Sequence, residues 1–108
     1  MLSQEEKTAC SVMTTLQLIA SKWKLLILCI LFVRPWRFNE LKKELNGISQ
    51  KVLSASLRSL EADGLITRTV YPEVPPRVEY ALSDLGASMR PLISSMDDWG
   101  QKYKQHQD

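Results

Sequence analysis

The chain is short of the residues that most metal and redox chemistry needs. It holds 2 cysteines and 1 histidine among 108 residues. Cys10 and Cys29 are too few for a disulfide framework. His106 lies in the polar tail, and the three residues have no zinc-ligand spacing, so neither a metal nor a cofactor is expected. Glycine is scarce too, with 4 residues and no phosphate-cradling loop. No nucleophile–base arrangement is present, so the chain does not read as an enzyme. The apolar run from Leu25 to Val33 is far too short to span a bilayer. Met1 to Cys10 is polar and resembles no signal peptide. No membrane partner is expected, and reducing cytoplasm is the expected compartment.

A strong excess of one charge is also missing. Net charge is only +2, with 44% hydrophobic and 24% charged residues, which is ordinary for a globular domain. The distribution says more. Arg34, Arg37, Lys42, Lys43, Lys51 and Arg58 face only Glu40 and Glu44 within one stretch. That block suits a phosphate-facing surface, although a solvated helical face would look the same.

The length fits a single domain over residues 1–108 with one modest core. Residues 1 to about 8 are polar and read as a frayed lead. Val12, Leu16, Ile19 and Trp23 then fall at helical spacing, which predicts a first amphipathic helix. Lys22 to Phe32 is apolar nearly all round, which predicts a helix buried on most sides. Pro35 closes it, and Arg34 to Trp36 should form a turn. Phe38, Leu41 and Leu45 mark one buried face of a short helix, stopped at Asn46-Gly47. Ser49 caps the next helix, about 49–63, whose inward stripe is Leu53, Leu57 and Leu60 and whose stop is Gly64.

Beyond Gly64 the pattern changes to β. Leu65 to Tyr71 is rich in β-branched residues, and Val78, Tyr80 and Leu82 alternate with more polar neighbours. A two-stranded wing over about 65–82 follows, with Pro72, Pro75 and Pro76 stiffening its tip. The last helix, about 84–104, carries Leu85, Met89, Leu92, Met96, Trp99 and Tyr103 as a heptad seam. Pro91 should kink that helix or divide it.

Helix, turn, helix and hairpin in this order make a winged helix-turn-helix, an α+β fold that is mainly α. In such an arrangement the second helix presents its first residues to base edges in the major groove. Ser49, Gln50, Lys51 and Ser54 take that position. Gln pairs with adenine and Lys with guanine by their donor patterns. Arg58, Lys42 and Lys43 are placed for phosphate, and on the wing Arg77, with Arg68 of the first strand second to it, is placed for phosphate or the minor groove. The alternative for Arg77 is a cross-strand ion pair, although Arg68 with Glu79 looks the better such pair. The terminal seam has two readings as well. Leu92, Met96, Trp99 and Tyr103 pack inside their own domain, or against a second copy with help from Val12, Leu16 and Ile19. The free end of the chain leaves Trp99 and Tyr103 little of their own domain to cover them, which favours a C2 dimer on palindromic double-stranded DNA. Cys29, in the most apolar helix, reads as a buried, inert hydrophobe. Cys10 stands before the first helix, near Lys7, where a thiol is open to oxidation and alkylation. It is either a sensor or an incidental exposed cysteine. Two other functions stay open. One is a protein-docking module. The other is a small-molecule-responsive regulator without thiol chemistry, with a pocket between the dimer helices and the core, near Trp23, Trp36 and Trp99.

Lys22-Trp23, RFNELKKEL (Arg37 to Leu45), GIS (Gly47 to Ser49), LEADGLI (Leu60 to Ile66) and PEVPPRVEYALSDLG (Pro72 to Gly86) together resemble the HxlR-type winged helix-turn-helix transcription regulators, relatives of the MarR type. The likeness runs from about Lys7 to Tyr103. It implies a homodimer joined through its terminal helices, with operator binding by the Ser49 helix and the wing around Arg77, more often as a repressor than an activator. Several members respond to oxidants or electrophiles through an N-terminal cysteine, and Cys10 matches that position. Ser11 follows it where members typically carry proline.

Overall fold

Ser21 divides the first apolar stretch into two helices. A computed structural model of the chain describes residues 10–107. The polar lead and Lys7 lie outside them. Helix α1 (Ser11–Ile19) stops at Ala20, and α2 (Lys22–Leu31) starts anew with the Ser21 hydroxyl accepting the Lys24 N–H at 3.4 Å. The two axes meet at 85°. Trp23 is thus not the fourth residue of the α1 stripe but the second residue of α2. Helix α2 buries Ile27, Leu28 and Leu31, whereas Leu26 and Val33 reach solvent. Trp23, Leu25 and Ile30 also pack against the core, so the expected burial on most sides holds except at Leu26.

The turn expected at Arg34 to Trp36 ends in a strand. Pro35 keeps the chain extended, and β1 (Trp36–Arg37) pairs antiparallel with a later strand, Trp36 opposite Tyr80 and Arg37 opposite Glu79. The Arg34 guanidinium stacks on Trp36 at 3.7 Å. Helix α3 (Phe38–Glu44) opens with the Glu40 carboxylate accepting the Arg37 N–H at 2.8 Å. That bond, helped by Arg34, holds Glu40 below its usual range.

Gly47 (φ 95°) turns the chain out of α3. The Ser49 hydroxyl then accepts the Val52 N–H at 3.1 Å and caps α4 (Gln50–Ala62). Leu53, Leu57 and Leu60 are fully buried and meet Leu41, Leu45, Ile27 and Leu28 in the core. Helix α4 ends in a Schellman arrangement: Leu65 N–H reaches the Leu60 carbonyl, Gly64 N–H the Glu61 carbonyl, both at 3.0 Å, with Gly64 at φ 78°.

Strands β2 (Ile66–Tyr71) and β3 (Arg77–Leu82) form the hairpin, with Ile66 opposite Leu82 and Tyr71 opposite Arg77. With β1 added the sheet has three strands in the order β1-β3-β2. The wing is the expected two-stranded hairpin, but its inner strand is shared with β1 while β2 is a free edge. Ser83 locks the base of the hairpin: its hydroxyl donates to the Gly64 carbonyl at 2.6 Å and accepts the Gly86 N–H at 3.0 Å. The short helix α5 (Asp84–Ala87) presses so closely there that a Cβ on Gly86 would stand 2.0 Å from the Leu65 carbonyl oxygen.

Helix α6 (Arg90–His106) follows, with Pro91 in its first turn. The chain is divided ahead of the proline, where the missing N–H costs nothing. Arg90 fastens the start of α6 to the end of α2, lying over the Phe32 ring at 4.5 Å and donating to the Phe32 carbonyl at 3.4 Å. No residue of α6 is buried. Among the described residues no single helix is long and apolar enough to cross a membrane.

Candidate nucleic-acid interface

The first turn of α4 is held by its cap and by Gly47, and its outer face is polar. Gln50 and Lys51 are exposed there, Ser54 is half-buried one turn on, and Arg58 is exposed a further turn along. The Ser49 hydroxyl is already committed to Val52, which leaves its second lone pair and proton free. Lys42 and Lys43 project from the end of α3 and, with Asn39, Asn46, Gly47 and Ile48, line a basic hollow of about 490 Å³ beside the α3–α4 turn. Lys42 and Lys43 thus border the turn that leads into α4, while Ser54 and Arg58 line a separate hollow on the wing side of that helix.

The wing differs from expectation in its charges. The register puts Arg68 opposite Tyr80 and Glu79 opposite Thr69, so the anticipated Arg68–Glu79 partnership does not form. Arg77 takes the glutamates instead, Glu73 at 3.2 Å and Glu79 at 3.5 Å, and lies over the Tyr71 ring at 4.1 Å. Its Nε is buried without a well-aligned acceptor. Arg77 is therefore half-buried and locally neutralised, a brace between the strands. Arg68, which pattern reading placed second, is exposed on the edge strand. Its position in the alternation of Ile66, Arg68 and Val70 puts it on the face turned toward α4, a signal the sequence already contained.

The terminal helices meet on another side of the molecule. Val12, Thr15, Leu16 and Ile19 of α1 and Leu92 and Met96 of α6 enclose an apolar hollow of about 320 Å³. Val12, Leu16, Leu92 and Met96 remain exposed along it. Trp99 and Tyr103 stack at 5.5 Å farther along α6, with Trp99 66% exposed. A hollow does lie where the terminal helices meet the core, as anticipated, but Trp23, Trp36 and Trp99 do not line it. Trp23 and Trp36 pack against the core, Trp99 faces solvent, and the apolar hollow lies between α1 and α6.

The cysteines are both half-buried. Cys10 occupies the N-cap position of α1 without capping it through its side chain. Cys29, expected to be fully buried, is only partly covered. Burial still pushes its thiol up, and the nearby Asp97 carboxylate of α6 adds to this. Among the described residues no group of three or more His, Cys, Asp and Glu side chains is gathered in a way that could hold a metal ion.

Comparison with known proteins agrees with this layout. The model of the HxlR-like helix-turn-helix family matches residues 18–108. An uncharacterised HTH-type transcriptional regulator of Methanothermobacter thermautotrophicus is 43% identical over 104 residues, 96% of this chain and 79% of the relative. A solved MarR-family transcriptional regulator from Enterococcus faecalis superposes with a TM-score of 0.84 at 37% identity, covering 99% of this chain and 96% of its own. The redox regulator HypR in its reduced form superposes with a TM-score of 0.83 at 38% identity, over 88% of this chain and 94% of its own. A helix-turn-helix with a basic face, a hairpin wing and these relatives lead to one assignment: the chain belongs to the HxlR-like helix-turn-helix family of DNA-binding transcriptional regulators.

Proposed function

We propose that this regulator works as a homodimer that represses transcription by holding a palindromic operator. Gln50 and Lys51 reach base edges, and Ser49, Ser54, Lys42, Lys43 and Arg58 position the helix pair on the backbone. The observation that carries this reading is the separation of two surfaces: a polar, basic face on α3 and α4, and an apolar stripe on α1 and α6 that its own domain leaves uncovered. A second copy covering that stripe doubles the DNA contacts and sets their two-fold symmetry. Arg77 acts through the shape of the wing, because its charge is already matched by Glu73 and Glu79.

The test is fluorescence anisotropy of the reduced protein on its own upstream intergenic DNA, beside a scrambled duplex of equal length. Parent protein should prefer the native fragment at near-physiological salt. Lys51→Ala should lose most of that preference, about 1–3 kcal/mol if a base contact is lost. Equal binding to both duplexes would sink the reading and favour a docking module.

A second reading concerns Cys10. The likeness to HypR and the N-cap position of the thiol support a regulator released from DNA by oxidants or electrophiles. Cys10→Ser should then keep DNA affinity but no longer respond to diamide. An unchanged response in that variant would end the idea.

A further inference from the structure

Among the described residues, two arginines at the junction of α4 and the wing form no ion pair. Ser54, Arg58, Glu61, Arg68 and Tyr80 line a hollow of about 410 Å³. Among the described residues the ion pairs formed within 4.0 Å are Arg34–Glu40, Arg77–Glu73 and Arg77–Glu79. Arg58 and Arg68 are in none of them, although Glu61 borders the same hollow. Both are exposed. Their approach is set by the fold: Arg58 follows Lys51 by two turns on the outer face of α4, and Arg68 is on the same strand face as the buried Ile66. The strand opposite Arg68 contributes Tyr80, which is buried and makes the floor.

The geometry of duplex DNA gives this hollow a meaning. A helix in the major groove and a hairpin in the adjacent minor groove are separated by one sugar–phosphate strand. That strand must pass over whatever lies between the helix and the hairpin. We propose that Arg58 and Arg68 form a seat for the DNA backbone between the two grooves, each neutralising one phosphate, with the Ser54 hydroxyl as an additional donor. The proposal rests on the DNA-binding reading above and adds Arg68, a residue on neither the recognition turn nor the wing tip. Glu61 sits at the rim as an opposing charge that weakens the seat. Such a contact carries no sequence information and contributes through counterion release.

The test uses a labelled random-sequence duplex of about 30 base pairs, followed by anisotropy from about 50 to 200 mM KCl, the range over which phosphate contacts show in the salt slope. Arg58→Gln and Arg68→Gln should each flatten the slope of log K against log salt by about one. Arg68→Lys should keep the parental slope, since it keeps the charge. Glu61→Gln should bind more tightly than the parent at low salt. Melting temperatures of all four variants establish that they fold. If Arg68 serves only the fold, through Glu61, then Arg68→Gln and Glu61→Gln both lower the melting temperature and the salt slope stays parental, which overturns the seat. Parent binding that is steeply salt-dependent, with parental slopes in both glutamine variants, likewise overturns the seat but leaves the DNA reading standing. A parent without salt-dependent affinity for any duplex overturns both.

Discussion

Helices α4 and α6 carry apolar stripes at the same helical spacing, and their stripes end in opposite environments. Leu53, Leu57 and Leu60 of α4 are each no more than 1% exposed, held between α2, α3 and the hairpin. Leu92, Met96, Trp99 and Tyr103 of α6 are 38–66% exposed. Amphipathicity therefore says that a helix needs a partner and not which one. For α4 the partner is the same chain, because Gly47 and Gly64 turn the flanking segments back over it. For α6 the chain runs out to one side of the domain, fastened at its root by Arg90 on Phe32. A contiguous apolar stripe left in water is unusual in a monomer, and here α1 lengthens it. The side chains differ too. The enclosed stripe is all leucine, and the open one uses methionine and aromatics, which fill irregular gaps and favour interfaces.

The sharpest way to break this comparison is to shorten one residue of each stripe. Leu57→Ala leaves a hole among fully packed leucines and should cost about 2–5 kcal/mol, read as a lower urea midpoint at every protein concentration. Trp99→Ala removes a larger side chain from solvent and should leave the unfolding of the separated protomer unchanged. If Trp99→Ala destabilises a dilute, monomeric sample as much as Leu57→Ala does, the two stripes are not different in kind.

A charge on the open stripe tests the second copy directly. Met96→Glu puts a carboxylate beside Leu92, Leu16 and Ile19 across the α1–α6 hollow. In the parent, light scattering should give twice the 12.4 kDa chain mass, and the melting temperature should rise with concentration. In Met96→Glu the mass should halve and the concentration dependence should vanish. A variant that stays at twice the chain mass would mean that the copies meet elsewhere.

The same contrast explains what could be read from the residues alone. The α4 stripe, its Ser49 cap and its Gly64 stop form a local code. Each acts within one turn of its own position, so the recognition helix and the hairpin were legible to within a residue or two. The apolar spacing from Leu92 to Tyr103 and the division near Pro91 were equally legible, although Leu85 and Met89, read as part of the same seam, precede α6. What escaped depends on distant partners. Ser21 breaks the first helix without glycine or proline, and nothing local distinguishes its cap from a polar residue in a continuing helix. Strand β1 has two residues, too few for any periodicity, and exists because Tyr80 and Glu79 pass alongside. The missing Arg68–Glu79 pair turns on hairpin register, which sets Arg68 opposite Tyr80 instead. The need for glycine at position 86 comes from the Leu65 carbonyl packed against it, a contact between distant segments.

The smallest expected effect sharpens the comparison from inside. Helix α6 buries none of its own residues, yet it sets Asp97 near the half-buried Cys29 of α2. Burial comes first in raising that thiol, and the Asp97 charge second. Alkylation proceeds through the thiolate, so the raised thiol holds less of its reactive form at a given pH. Its rate profile with iodoacetamide, measured in a Cys10→Ser background, should lie at higher pH than that of an ordinary cysteine. Asp97→Asn removes the charge and leaves the burial, so the profile should move only part of the way back toward lower pH. Deletion of α6 beyond Gly100 should not move it further, because Asp97 precedes the cut. A profile that ignores Asp97→Asn would mean that α6 stands clear of α2 in solution, and the stripe proposed to meet a second copy would then have no fixed direction.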